Sequence, residues 1–228
     1  MENILMKYMN ERVLEDKKLF SESLPVVTLS REYGCYASQI AKILSEELNK
    51  MKKKASIPEW QWISREILEK AAIELNQRPD DISHLFSAEK KGFLADIVTS
   101  FSKQYKSDNH IKNTITKIVK NYGDEGNVII VGRAGCIITK DLTKTLHIKL
   151  IAPIEWRTKQ ISHRHKICKD EALKLVQEND LKRSTFMSFF KGNIPDSEVF
   201  DMILNRMTMN EKEIVHAIIN VLQSRSYI

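Results

Sequence analysis

Glycine, proline and cysteine are scarce in this chain: seven, five and three in 228 residues. Cys35, Cys136 and Cys168 are odd in number and far apart, which excludes a disulfide framework and a CxxC metal site. No apolar run reaches the roughly 18 residues a membrane span needs, so no transmembrane helix is expected. The start, Met1-Glu2-Asn3-Ile4-Leu5-Met6-Lys7, has no apolar core followed by a small-residue cleavage site. No signal peptide is therefore expected, and a cytoplasmic address follows. Among so few glycines no G-x-x-x-x-G-K-S/T motif occurs, so the lysine that such a loop extends toward nucleotide phosphates is missing. There is no internal repeat and no low-complexity linker.

What is present suits a globular protein. Apolar residues make up 42% and charged residues 29%, and the length suffices for one α/β domain with inserted helices. The net charge of +6 points to anionic ligands, among which nucleotides, nucleic acid and acidic lipid all qualify. A nucleic-acid surface needs a basic stripe interleaved with exposed aromatics. The one tight basic run, Lys50-Met51-Lys52-Lys53-Lys54, falls at a helix end, where solvated lysines complement the dipole. Neither a nucleic-acid nor a membrane partner is expected.

The chain is organised around Leu24 to Leu48. Val26-Val27-Thr28-Leu29 is a short β-branched and apolar run, Gly34 breaks it, and Ile40, Ala41, Leu44 and Leu48 then recur at helical spacing. A buried strand feeds a helix through one tight turn. Such a turn binds anions in an open α/β sheet, because the first N–H groups of the helix are unpaired and its dipole favours negative charge. Gly34, Cys35, Tyr36, Ala37, Ser38 and Gln39 are the candidate phosphate site, with an ordinary strand-to-helix connection as the alternative.

Ile4, Met6, Met9, Val13 and Phe20 predict an amphipathic helix over residues 3–20, able to pack on the main domain or on a second copy. Residues 23–228 read as one domain. Ile57 to Ile63 predicts a short strand or extended segment carrying Trp60 and Trp62, expected to pack against the sheet, and Ser64 is placed to cap a helix over 65–75. Residues 77–122 form a strand-free helical insertion, with a break expected near Ser107-Asp108-Asn109, that can cover a substrate. Gly123 to Asn127 predicts a turn, Val128 to Val131 a buried strand, and Thr145 to Ala152 another, ended by Pro153. Helices are predicted over 155–164 and 169–190, within a lid region of about residues 154–192; a last strand over 199–204 and a closing helix over 211–223 follow. Strands alternating with helices mean a parallel sheet covered on both faces, a three-layer α/β/α fold.

Arg133 follows the central apolar strand directly, which puts a guanidinium at the carboxyl edge of the sheet, where ligands bind. Its planar fork suits bidentate phosphate recognition, or a nearby carboxylate. Arg157, Arg164 and Lys166 are charges able to close over transferring phosphates, or one solvated helix face.

Four segments now carry a resemblance: Val27-Thr28-Leu29-Ser30-Arg31-Glu32-Tyr33-Gly34 with Ile40-Ala41-Lys42; Val128-Ile129-Ile130-Val131-Gly132-Arg133-Ala134; Leu150-Ile151-Ala152-Pro153-Ile154-Glu155-Trp156-Arg157; and Phe200-Asp201-Met202-Ile203-Leu204-Asn205 with Met207-Thr208. In order and spacing the chain resembles the cytidylate-kinase-like branch of the P-loop nucleoside monophosphate kinases. The resemblance implies a five-stranded parallel sheet, ATP at the first turn, a monophosphate under the helical insertion, and a lid. It implies that Arg133 holds the acceptor's α-phosphate and that Arg157 and Arg164 neutralise the transferring phosphoryl group. Asp180-Leu181-Lys182-Arg183 resembles the family's D-x-x-R, which sets Asp180 and Arg183 near the acceptor. Mg²⁺ is implied with ATP, and Ser38 is the hydroxyl placed for it.

The chain departs from the family at the turn, where relatives carry G-S-G-G-R and this sequence reads Gly34-Cys35-Tyr36-Ala37-Ser38-Gln39. Ser64 stands where relatives often have aspartate, and Ala134 where true cytidylate kinases hold the sugar with aspartate. Arg31, Lys42 or a lid arginine is left to replace the missing cation. Three expectations follow: an ATP- and Mg²⁺-dependent kinase acting on a pyrimidine monophosphate or similar acceptor, a catalytically silent nucleotide-binding protein, or an interaction protein that dimerises through its N-terminal helix.

Overall fold

Val26–Arg31 forms β1, and five of its six side chains are buried, so both faces of this strand must be covered. The structure is a computed structural model that describes residues 23–52, 57–64, Glu69 and 101–228. The expected N-terminal helix, the helix after Ser64 and residues 77–100 of the insertion lie outside the described residues.

In chain order the remaining elements are α1 (Ala37–Lys50), β2 (Gln61–Ile63), α2 (Phe101–Glu125), β3 (Val128–Val131), α3 (Gly135–Ile138), β4 (Thr145–Ile151), α4 (Ile154–His165), α5 (Lys169–Lys191), β5 (Met202–Asn205) and α6 (Glu211–Ser224). The five strands pair in the order β2-β3-β1-β4-β5, and every pairing is parallel. β1 therefore lies at the centre, with Thr28 opposite Ile130 on one side and His147 on the other.

Period-two alternation in the strands divides the core. Val27, Leu29, Leu146, Ile148 and Leu150 face one layer, where Ile40, Ala41, Leu44 and Leu48 of α1 meet Ile214, Val215, Ile218 and Leu222 of α6. Val26, Val128 and Ile130 face the other, against Ile111, Ile115 and Val119 of α2, Ile138 of α3 and Phe186 of α5. The result is the expected three-layer α/β/α fold. Each fully buried Leu or Ile in these layers stabilises it by roughly 1.5–3 kcal/mol. Trp60 is buried in the first layer and Trp62 packs against it, as expected. Among the described residues no helix is long and apolar enough to cross a membrane.

Three sequence expectations need correction. α2 runs unbroken through residues 107–109 and on to Glu125, because Ile111, Ile115, Ile118, Val119 and Tyr122 give it a buried stripe that overrides the polar residues before it. Gly123 is inside that helix, where a Cβ would stand 2.7 Å from the Leu142 side chain; the chain turns at Gly126, φ +69°. β5 begins at Met202, since the Val199 N–H closes a 3₁₀ turn on Asp196 O at 3.1 Å.

Candidate functional site

A cleft of about 680 Å³ opens where β1 and β3 end, walled on its far side by α5. Six cations line it, Arg31, Arg133, Lys149, Lys182, Arg183 and Lys191, against the carboxylates of Glu32, Asp180 and Asp196. Each carboxylate is already held. Asp196 accepts from Lys149 at 2.5 Å and from Lys191, and these bonds hold its carboxyl below the usual range. Glu32 accepts the Ala152 N–H at 2.9 Å, and Asp180 accepts the Tyr33 N–H at 2.6 Å. The walls therefore carry a net positive field for an anion to answer.

Backbone geometry aims Arg133. All four residues of β3 are buried, and the chain then turns through Gly132, Arg133 and Ala134 at φ +75°, +55° and +53°. A non-glycine residue held in this region costs about 1–3 kcal/mol, and such strain gathers at functional sites. Ala134 is packed in the core, and the Gly135 N–H returns to Gly132 O at 3.0 Å, so the turn is held from both ends. Arg133 lines the cleft, and its Nε donates to Ser64 O at 3.3 Å.

Asp180 and Arg183 are three residues apart on α5 and so share a face. Both line the cleft. The Arg183 guanidinium stands 5.0 Å from the centre of the Tyr33 ring and donates a long bond, 3.4 Å, to Arg31 O; burial lowers its pKa.

Arg157 is placed differently from a lid arginine. It is 6% exposed; its Nε donates to Ala152 O at 2.8 Å, and Glu32 lies 3.3 Å away. Its second arm donates to Tyr33 O at 3.1 Å and to the Asp180 carboxylate. In this conformation Arg157 fastens the first turn to α4 and α5 and does not line the cleft. Arg164 is exposed and sits over the Tyr36 ring, 4.4 Å from its centre.

The first turn is packed shut. Gly34 has φ +93°, and a Cβ there would meet the Arg157 Cβ at 3.1 Å and its carbonyl oxygen at 3.3 Å, so only glycine fits. Cys35 and Ala37 belong to the core, and burial, with Glu32 nearby, pushes the Cys35 thiol up to about 12. Tyr36 takes φ +51° despite its Cβ, held by its hydroxyl donating to Gln160 O at 3.2 Å and by Arg164 over its ring. None of residues 34–39 lines the cleft. Ser38 and Gln39 are exposed, and the Gln39 N–H turns back to Tyr36 O at 3.0 Å. As packed, this turn presents neither a cation nor an open cradle, so its residues do not fit ATP without movement of α4. Among the described residues no group of three His, Cys, Asp or Glu side chains gathers to hold a metal, and Ser38 by itself is a poor Mg²⁺ site.

The residues that motif reading passed over are Lys149, Lys182, Lys191 and Asp196. β4 did carry a signal for the first: Thr145, His147 and Lys149 put polar groups at every second position of an otherwise apolar strand, on the cleft side of the sheet.

Comparison with known proteins agrees with this architecture. A cytidylate kinase from Sulfolobus acidocaldarius is 27% identical over 123 residues, 54% of this chain and 65% of that enzyme. One from Methanocaldococcus jannaschii is 25% identical over 127 residues, 54% of this chain and 69% of the enzyme. The chain thus spans about two thirds of the length of these relatives. The crystal structure of an uncharacterized protein from Eubacterium ventriosum superposes with a TM-score of 0.62 at 18% identity, covering 88% of this chain and 99% of that one, a likeness of fold. The model of the cytidylate kinase-like family matches residues 26–208, from the start of β1 past the end of β5. The chain belongs to the cytidylate kinase-like family.

Proposed function

We propose that this chain is a cytoplasmic kinase that moves a phosphoryl group from ATP, with Mg²⁺, to a small acceptor bearing its own phosphate, a pyrimidine nucleoside monophosphate by family resemblance. One observation carries the reading: a cleft at the carboxyl end of the sheet with six cations, of which Asp196 holds only Lys149 and Lys191, while Glu32 and Asp180 are bound to Arg157 and to backbone N–H groups. Phosphoryl transfer asks the protein mostly to position charged groups and to neutralise them.

Arg133 and Arg183 bind the acceptor phosphate from two sides of the cleft. Asp180 and Arg157 act as positioning residues that fix the Tyr33 peptide and with it the entry to the first turn. ATP would supply the phosphoryl group when bound; residues 34–39 would hold it only with α4 away from Gly34 and Tyr36, and Arg164 would supply the charge that neutralises the transferred group.

A second reading has its own support. Cys35 and Ala37 fill the core beneath the turn, and Tyr36 is tied down above it, as expected of a nucleotide-binding protein that has lost its chemistry. ADP formation from ATP, measured with CMP, dCMP, UMP and AMP with and without Mg²⁺, separates the two. Turnover with one monophosphate supports the kinase. Binding of nucleotide without turnover supports the silent protein.

A further inference from the structure

We infer that Arg31 is an anion-binding residue of this cleft, completing with Arg133 and Arg183 a three-guanidinium cradle for a phosphate or pyrophosphate group. Arg31 is the last residue of β1, at the centre of the sheet's carboxyl edge and directly before the first turn. Arg31 lines the cleft, and among the described residues no carboxylate pairs with it. Glu32 and Asp180, two acidic residues of the same wall, are turned to Arg157 and to backbone N–H groups instead.

The fold has made room for this side chain. A Cβ on Gly132 would lie 1.9 Å from one terminal nitrogen of Arg31, so any other residue at 132 would make the guanidinium shift. Gly132 also holds φ +75°, and its N–H donates to Leu29 O at 3.0 Å, which locks the seat to β1. Burial and the charges of Arg183 and Arg133 lower the Arg31 pKa well below that of an ordinary guanidinium. A partly desolvated cation set among like charges destabilises an empty site, and an anion with several charges removes that cost.

Arg31 also answers the missing loop lysine. Of the other candidates, Lys42 is exposed on α1 and does not line the cleft, and Arg157 is committed to the turn. Arg31 ends β1 directly before the first turn, with the charges of Arg133 and Arg183 acting on it. Who bears the anion rests on the kinase reading; that the cradle binds it does not.

The test is calorimetric titration of the full chain and its Arg31→Gln and Arg31→Lys variants with inorganic phosphate and with pyrophosphate, alongside thermal melts of each without ligand. Pyrophosphate binding at least tenfold weaker in Arg31→Gln, partly restored in Arg31→Lys, and an unliganded melting temperature no lower than the parent's support the inference. A merely structural arginine gives the reverse: a lower melting temperature with pyrophosphate affinity unchanged, which overturns it, as does a parent protein that binds neither anion. ADP formation is scored separately. A parent that transfers phosphate while Arg31→Gln binds pyrophosphate normally sinks the inference and leaves the kinase standing. A parent that binds pyrophosphate through Arg31 and transfers nothing supports the inference against the kinase.

Discussion

Arg157 of α4 and Asp180 of α5 meet as an ion pair that also grips residue 33 at both ends, Arg157 donating to its carbonyl at 3.1 Å and Asp180 accepting its N–H at 2.6 Å. The two lid-region helices are thereby joined to the first turn through two side chains. Replacing Arg157 by Met leaves Asp180 and Glu32 partly buried without their cation, which is expected to cost about 3 kcal/mol. For a chain of this size that lowers the melting temperature by roughly 6–12 °C. A melting curve of Arg157→Met within 2 °C of the parent, where about 2 °C is what under 1 kcal/mol gives, would show that the pair does not hold the turn.

Arg133 is held at φ +55°, where glycine is comfortable and arginine is not. Arg133→Gly is expected to keep or raise stability by about 1 kcal/mol while weakening acceptor binding at least tenfold. Thermal melts and titration with the acceptor monophosphate check both halves together. Reduced stability with unchanged affinity would make Arg133 a structural residue.

His147 gives the fold a pH dependence. Its ring is buried, Nδ1 lies 2.8 Å from Thr28 Oγ1, Nε2 has no partner among the described residues, and burial lowers its pKa. The unfolded chain protonates this histidine at about 6.5, before the folded chain does. Its contribution is therefore complete above that value and is lost as pH falls from there through the lowered folded pKa. The melting temperature should fall between pH 7 and pH 5, and His147→Gln should flatten that part of the profile. An imidazole resonance of His147 titrating above 6.5, the unperturbed value, would contradict the assignment.

The cysteines should divide by environment. Cys35 and Cys136 are buried and burial raises both thiol pKa values, whereas Cys168 is exposed before α5. Iodoacetamide at pH 8 is expected to label Cys168 in the folded protein and all three only after denaturation, as mass spectrometry of the peptides would show. Labelling of native Cys35 would mean that the first turn opens readily.

Much of this was legible in the residues. Apolar runs and their periods gave all five strands, the last with a late start; the position of Arg133 after β3 followed from the strand pattern, and Arg183 from the family resemblance. Pattern could not show where charges pair. Arg157 looks like any basic residue on a polar helix until Glu32, Tyr33 and Asp180, distant in sequence, close around it. The left-handed Tyr36 was illegible for a related reason: local propensity argues against it, and contacts with Gln160 and Arg164 override propensity. The unbroken α2 shows the same priority, since burial of its apolar stripe outweighs a polar Ser-Asp-Asn sequence.

The most direct test of the account is phosphorus NMR of the full chain with ATP, Mg²⁺ and CMP, repeated with dCMP, UMP and AMP. Growth of ADP and of the β-phosphate signal of one nucleoside diphosphate is expected, abolished in Arg133→Gly. ATP intact against every monophosphate, with nucleotide still bound to the protein, would contradict it and leave a cytidylate kinase-like fold whose first turn has closed on its own side chains.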